Sequence, residues 1–239
     1  MNGSLLSHSK RMMLELDDLE SLLDLRKEVL FLFEKYFGFE RSIFWLCSED
    51  QKIFDPVSRN TPAKVLDHYT VHYSQQDFLL PSHVAPLLSE RRVLKIEDVI
   101  SRQEYENSCF FNEFMKPNDH YHEIGIYLIS QNKLLGGISF VGERNDPSFH
   151  THSIDEIEVV SYFISMKLNY LLRQSPIHKQ AHLTPSEQKV CGLLKKGLTN
   201  QEMADQLVVS LNTIKKHLQN IYKKLGVSNQ TSLLSFLMS

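Results

Sequence analysis

The chain has little cysteine: Cys47, Cys109 and Cys191 are its three, odd in number, far apart and without a CxxC pair. That usage excludes a disulfide framework and a thiolate zinc cluster and is expected of a reducing compartment. No apolar run approaches the roughly 20 residues of a membrane span. The polar opening, residues 1–13, has no unbroken apolar stretch of the kind that signals secretion. A cytoplasmic protein is therefore expected. Only 9 glycines are present, and no Gly-rich phosphate loop, GxSxG or HExxH is among the motifs. The chain is accordingly read as no enzyme, and no cofactor is implied.

Histidine is more plentiful, with 11 residues. His68 and His72 fall at i, i+4, His120 and His122 at i, i+2, and His150, His152, His178 and His182 follow. No cysteine accompanies them and no third ligand suits the spacing, so a metal site is not expected. Cys109 precedes Phe110 and Phe111 and is expected to be buried and inert; exposed beside a cation it would make a redox sensor instead. Glu49 and Asp50 follow an apolar run as the acidic cluster of a phosphorylated receiver would, but the hairpin-like order farther on does not suit a doubly wound sheet.

At 239 residues and 42% hydrophobic content, the chain is long enough for two cored domains. The formal charge of −3 is unevenly spread. From Leu183 onward seven lysines face Glu187, Glu202 and Asp205, a balance of +4 that leaves −7 on the rest. Such asymmetry is expected when one end meets a polyanion. Residues 175–182, with Pro176 and no apolar periodicity, read as a linker between domains 1–174 and 183–239.

Periodicity predicts a helix from about Asp17 to Tyr36, a strand pair (Ser42–Cys47, then KIFDPV), a helix over Thr61–Gln75 and a short strand at VLKI. A helix follows over Glu104–Met115, then a hairpin of EIGIYLIS and LLGGISFVG. A helix over Ser153–Leu172 carries Ile154, Ile157, Ser161, Ile164, Leu168 and Leu171 at alternating spacings of three and four, the pattern of an interaction seam. This α+β order is similar to GAF- or PAS-type sensor domains, in which an antiparallel sheet supports a small-molecule pocket.

Beyond the linker, four short helices are expected. Thr184-Pro185-Ser186-Glu187 and Thr199-Asn200-Gln201-Glu202 are capping boxes, Gly197 and Gly226 are stops, and Ser210 caps LNTIKKHLQNIYKKL. Only Val208 and Val209 separate the second helix from that cap, the compact turn of a helix-turn-helix. At about 100° per residue, Ile214, Leu218, Ile221, Tyr222 and Leu225 share one face of the third helix. The opposite face carries Asn212, Lys216, Gln219 and Lys223, flanked by Lys215 and Asn220. Amides and ammonium groups so arranged donate to guanine and adenine edges and neutralise phosphates.

The stretch from Leu183 to Thr231 closely resembles the C-terminal DNA-binding domain of the LuxR family. The resemblance is carried by Leu183, Thr184, Glu187, Val190, Gly197, Thr199, Asn200, Glu202, Ala204, Ser210, Thr213, Lys215, His217, Ile221, Lys224, Leu225 and Gly226 among others. Gln230 departs from it, standing where the family has Arg. The resemblance implies a transcription regulator that binds duplex DNA as a homodimer. In the helix-turn-helix geometry, Lys215, Lys216 and Gln219, with Asn212, are expected at base edges, and Thr213, His217, Asn220 and Lys223 at phosphates. Asn200, at a helix start, is a further phosphate donor. The seam on Ser153–Leu172 and the last-helix residues Leu233, Leu234 and Leu237 are expected to supply dimer contacts.

The stretch His68–Asp77 resembles, through Tyr73 and Asp77, the lactone-binding segment of quorum-sensing members. The single tryptophan, Trp45, lies elsewhere, and His68 stands at the position of a tyrosine. Two readings follow: a diverged ligand pocket lined by Trp45, Tyr69, Tyr73 and Asp77, or a domain that only dimerises.

Overall fold

A computed structural model describes residues 5–48, 51–174 and 183–238. The chain divides into two compact units, Met1–Asn169 and Tyr170–Ser239. The linker residues 175–182, with Pro176, His178 and His182, lie outside the described residues, as do Glu49 and Asp50.

The first unit opens with two helices, α1 (Leu5–Asp17) and α2 (Leu22–Phe37). The helix expected from about Asp17 to Tyr36 thus begins only at Leu22, behind a separate helix. Ser21 is the reason: its side chain accepts from the Asp24 amide at 3.3 Å and begins a new helix. Gly38, at φ 74°, ends that helix in the left-handed conformation a side chain would resist. Leu25, Val29, Leu30, Leu32 and Phe33 are buried, whereas Leu23 is exposed.

Next come β1 (Arg41–Cys47) and β2 (Ile53–Arg59), the expected strand pair. Ala63–His68 forms α3, which continues through a wider helical turn over Tyr69–Tyr73. Short α4 (Pro81–Val84), β3 (Val93–Lys95) and α5 (Arg102–Glu106) precede another wide turn, Phe110–Met115. Then β4 (His122–Ser130) and β5 (Lys133–Gly142) form the hairpin, joined by Gln131 and Asn132 at φ 51° and 61°. Positive φ at both positions matches the right-handed strand twist. After α6 (Ser148–Thr151), α7 (Ile154–Gln174) completes the first unit's elements and runs into the second.

The five strands lie in the order β2-β1-β5-β4-β3, every neighbouring pair antiparallel. Period-two alternation gives the sheet two faces. Phe44, Ile138 and Phe140 point one way, the Phe140 ring lying 4.9 Å from that of Phe33 of α2 and tilted by 60° to it. Trp45, Tyr127, Ser139 and Glu123 point the other way, beneath the segments 63–84 and 102–118.

Three expectations are corrected here. Ile157, Ser161, Ile164, Leu168 and Leu171 of α7 are buried within the chain, so the predicted seam is core rather than interface. Spacings of three and four mark any helix with one covered side. The large hydrophobic residues that α7 does expose are Val159, Tyr162, Met166 and Tyr170. Cys109 is exposed, because Phe110 and Phe111 take the inward positions of that turn. Finally, Leu233 and Leu237 belong to their own domain's core, with Leu234 packed against it.

The second unit contains α8 (Pro185–Lys195), α9 (Asn200–Leu207), α10 (Leu211–Leu225) and α11 (Gln230–Met238). Both expected capping boxes are formed, Thr184 with Glu187 and Thr199 with Glu202. Val190, Leu194, Met203, Ala204, Ile214, Leu218, Ile221 and Leu225 make the core that the periodicity of α10 requires.

Candidate functional site

Two places carry polar chemistry, one in each unit. In the second unit, burial of Ile214, Leu218, Ile221 and Leu225 sets the roll of α10. Asn212, Lys215, Lys216, Gln219, Asn220 and Lys223 are consequently exposed, while Thr213 and His217 are half-buried at the edges of that face. None of Lys215, Lys216 and Lys223 enters an ion pair among the described residues. The Ser210 side chain accepts from the Thr213 amide at 3.1 Å and lies 2.8 Å from its hydroxyl, locking the first turn. Asn200 occupies the first position of α9, its Oδ1 buried and without a hydrogen-bond partner.

Lys224 differs from its neighbours. Its Nζ donates to Glu187 Oε2 at 2.6 Å, and the Glu187 carboxylate is 3% exposed. Burial opposes ionisation of Glu187, but the Lys224 ammonium and the Thr184 donors outweigh it and hold the carboxyl below the ordinary range. This lysine therefore stabilises the domain internally. Charge counting placed it in the basic surplus because counting cannot see a partner 37 positions away.

In the first unit, a cavity of about 250 Å³ lies between the sheet and the segments that cross it. Trp45, Tyr69 and Asp77, three of the four expected lining residues, line it together. Tyr73 is not among the lining residues; its ring stacks 5.2 Å from Phe114, which is. The Tyr69 hydroxyl donates to Asp77 Oδ2 at 2.6 Å, and the Leu79 amide donates to Oδ1 at 2.8 Å. Trp45 Nε1 donates to Ser139 Oγ at 3.2 Å. The ring is also held by Gly137, where a Cβ would meet it at 2.2 Å.

Sequence reasoning missed Glu123, His120, Phe110, Phe114 and Ser139 in this lining. Glu123 is 5% exposed, and among the described residues its Oε2 has no hydrogen-bond partner; His120 Nδ1 is likewise buried and unpartnered there. Burial, then the charge of Asp77, raises the Glu123 carboxyl well above its ordinary value. Burial also raises Asp77, against the Tyr69 and Leu79 hydrogen bonds. Burial and then Arg41 hold His120 at about 4, so it is uncharged near neutrality. The signal available for Glu123 was a carboxylate heading an otherwise apolar strand.

Four other histidines pair by contact: the rings of His68 and His72 lie 5.2 Å apart, those of His122 and His150 4.9 Å. Among the described residues no three of His, Cys, Asp and Glu gather as metal ligands. No described helix is long and apolar enough to cross a membrane.

Residues 181–237 match the family described as "Bacterial regulatory proteins, luxR family". Over 194 residues the chain is 25% identical to the monoamine regulon transcriptional regulator of Klebsiella aerogenes, covering 81% of this chain and 82% of that one. It is 35% identical over 79 residues to the CsgBAC operon transcriptional regulatory protein of Escherichia coli, 33% of this chain and 35% of that one. The GAF domain of an Acinetobacter phosphoenolpyruvate-protein phosphotransferase superposes with a TM-score of 0.51 at 12% identity, over 73% of this chain and 98% of that one. The last similarity is one of fold, and it assigns a GAF-like fold to the first unit. The two curated relatives named are transcriptional regulators, and the similarity to the luxR family resides in residues 181–237, the helix-turn-helix domain of this chain.

Proposed function

We propose that α10 lies in the major groove of an operator, Lys215, Lys216 and Gln219, with Asn212, meeting base edges. Thr213, His217, Asn220 and Lys223 then meet phosphates, as does Asn200 at the start of α9. The observation that carries this reading is the exposed set Lys215, Lys216 and Lys223, without an ion pair among the described residues, on the side of α10 opposite its core. Base contacts specify and phosphate contacts position. Operator selection from a random duplex library, repeated with Lys216→Ala, tests the assignment: base preference relaxes at one position if Lys216 reads it. An unchanged preference removes Lys216 from the reading set.

The regulator acts as a homodimer on half-sites one helical turn apart, because a single domain of this size reads only a few base pairs. The exposed side of α7, Val159, Tyr162 and Met166, supports this as a self-complementary surface. The domain boundaries at 174 and 183 belong to the same reading. The first domain senses a small molecule in the cavity beneath Trp45, and occupancy biases the chain between states of different operator affinity. A Klebsiella aerogenes relative that spans most of this chain is a regulator of a monoamine regulon, which supports a sensory role for the shared N-terminal region.

A further inference from the structure

The cavity of the first domain carries more negative chemistry than its fold requires. Three carboxylates line it: Asp55, Asp77 and Glu123. Asp55 is accounted for, since its Oδ2 accepts from Arg26 Nη1 at 2.7 Å. Asp77 is held in place by Tyr69 and the Leu79 amide. Glu123 Oε2 is buried with no hydrogen-bond partner among the described residues. No lysine or arginine is among the lining residues, and His120, the one other basic group there, is kept uncharged by burial. A buried carboxylate without a donor is costly, and a site that keeps one is suited to a ligand that brings the donor.

The walls narrow the class of that ligand. They are largely apolar and aromatic, with Trp45, Phe110 and Phe114 among them. A metal ion would need converging ligands, and among the described residues no three His, Cys, Asp or Glu gather for one. Ring faces attract an organic cation, and a flat apolar body stacks on the same rings.

We propose that the cavity binds a small organic ammonium, an amine on a flat apolar body, its N–H groups donating to Glu123 and Asp77 and its body lying against Trp45 and Phe114. This rests on the reading that the first domain senses a small molecule, and it names the chemical class sensed. The groups that face Glu123 are Asp77, Tyr69, Tyr105 and Tyr127, together with Asp55, His120 and, behind His120, Arg41. Mutual repulsion and burial leave the acid pair holding a proton when no cation is present. The ammonium displaces that proton, so amine affinity rises with pH while the amine stays charged.

Trp45 is the chain's only tryptophan, so its emission reports the cavity directly. The full chain is titrated with 2-phenylethylamine, with 2-phenylethanol as the neutral match and 3-phenylpropanoate as the anionic one. Expected are binding of the amine at least about ten-fold tighter than of the alcohol, no response to the anion, and amine affinity increasing from pH 6 to pH 8. Glu123→Gln lowers amine affinity by a similar factor and leaves alcohol affinity unchanged. Alcohol binding as tight as amine binding, or amine affinity that does not change with pH, overturns the cation while leaving a sensory cavity in place. Stabilisation by zinc in place of the amine also overturns it. Failure of all three compounds to move either Trp45 emission or the melting temperature removes both the cation and the sensory reading. The wild-type pH series decides the matter if Glu123→Gln does not fold.

Discussion

Lys224 near the end of α10 and Glu187 in the capping box of the first helix of its domain form a 2.6 Å ion pair whose acidic member is almost wholly buried. One carboxylate thus caps α8 through Thr184 and anchors α10 through Lys224, so the pose of α10 is set from its C-terminal end. Lys224→Met leaves the carboxylate without its cation and is expected to cost about 1–3 kcal/mol of domain stability, read by urea denaturation. The sign of the pH dependence follows from the lowered Glu187 carboxyl. Its contribution is present above the ordinary carboxylate range and is lost as pH falls through the depressed folded value. The stability gap between wild type and Glu187→Gln therefore shrinks on acidification; a gap independent of pH would separate the pair from stability.

Lys216 and Lys223 separate base reading from charge. Lys216→Ala is expected to weaken operator binding by about 1–3 kcal/mol and to relax preference at one base pair. Lys223→Ala is expected to weaken all duplexes alike and to lower the salt slope of log K by about 1. Binding isotherms over a range of salt, on operator and scrambled duplexes, check both.

Val208 occupies the left-handed region at φ 54° and is 90% exposed. A β-branched side chain is strained there and this one packs on little, so Val208→Asn is expected to stabilise the domain by about 1 kcal/mol. A lower melting temperature for the variant would show that the turn needs valine for another reason.

Gly137 faces Trp45 across β1 and β5, and a Cβ there meets the indole at 2.2 Å and the Ile126 carbonyl oxygen at 2.5 Å. Gly137→Ala is expected to displace the ring, shift its emission to the red and cost about 1–3 kcal/mol. An unchanged emission spectrum would remove Gly137 as the residue that seats the indole.

Met166 lies 64% exposed on the outer side of α7. If that side joins two copies, Met166→Lys weakens the dimer and, with it, binding to a two-half-site operator more than to a half-site. Sedimentation equilibrium gives the first quantity and duplex titration the second; a variant that dimerises like wild type moves the interface elsewhere.

The helix-turn-helix was legible in the sequence because its signals are local. Thr184 with Glu187, Thr199 with Glu202, Ser210 and Gly226 each act within a single turn, and the apolar stripe from Ile214 to Leu225 sets the roll of its helix without reference to anything distant. The strand pair and the hairpin were legible for the same reason, from local apolar runs and alternation. Tertiary structure decided what depends on a partner remote in sequence: whether the stripe on α7 covers core or interface, that Lys224 is spent on Glu187, and that Glu123 meets Asp77 across a cavity. Periodicity reports that a face is covered and charge counting that a group is ionisable; only the packing of distant segments determines what covers the one and what answers the other.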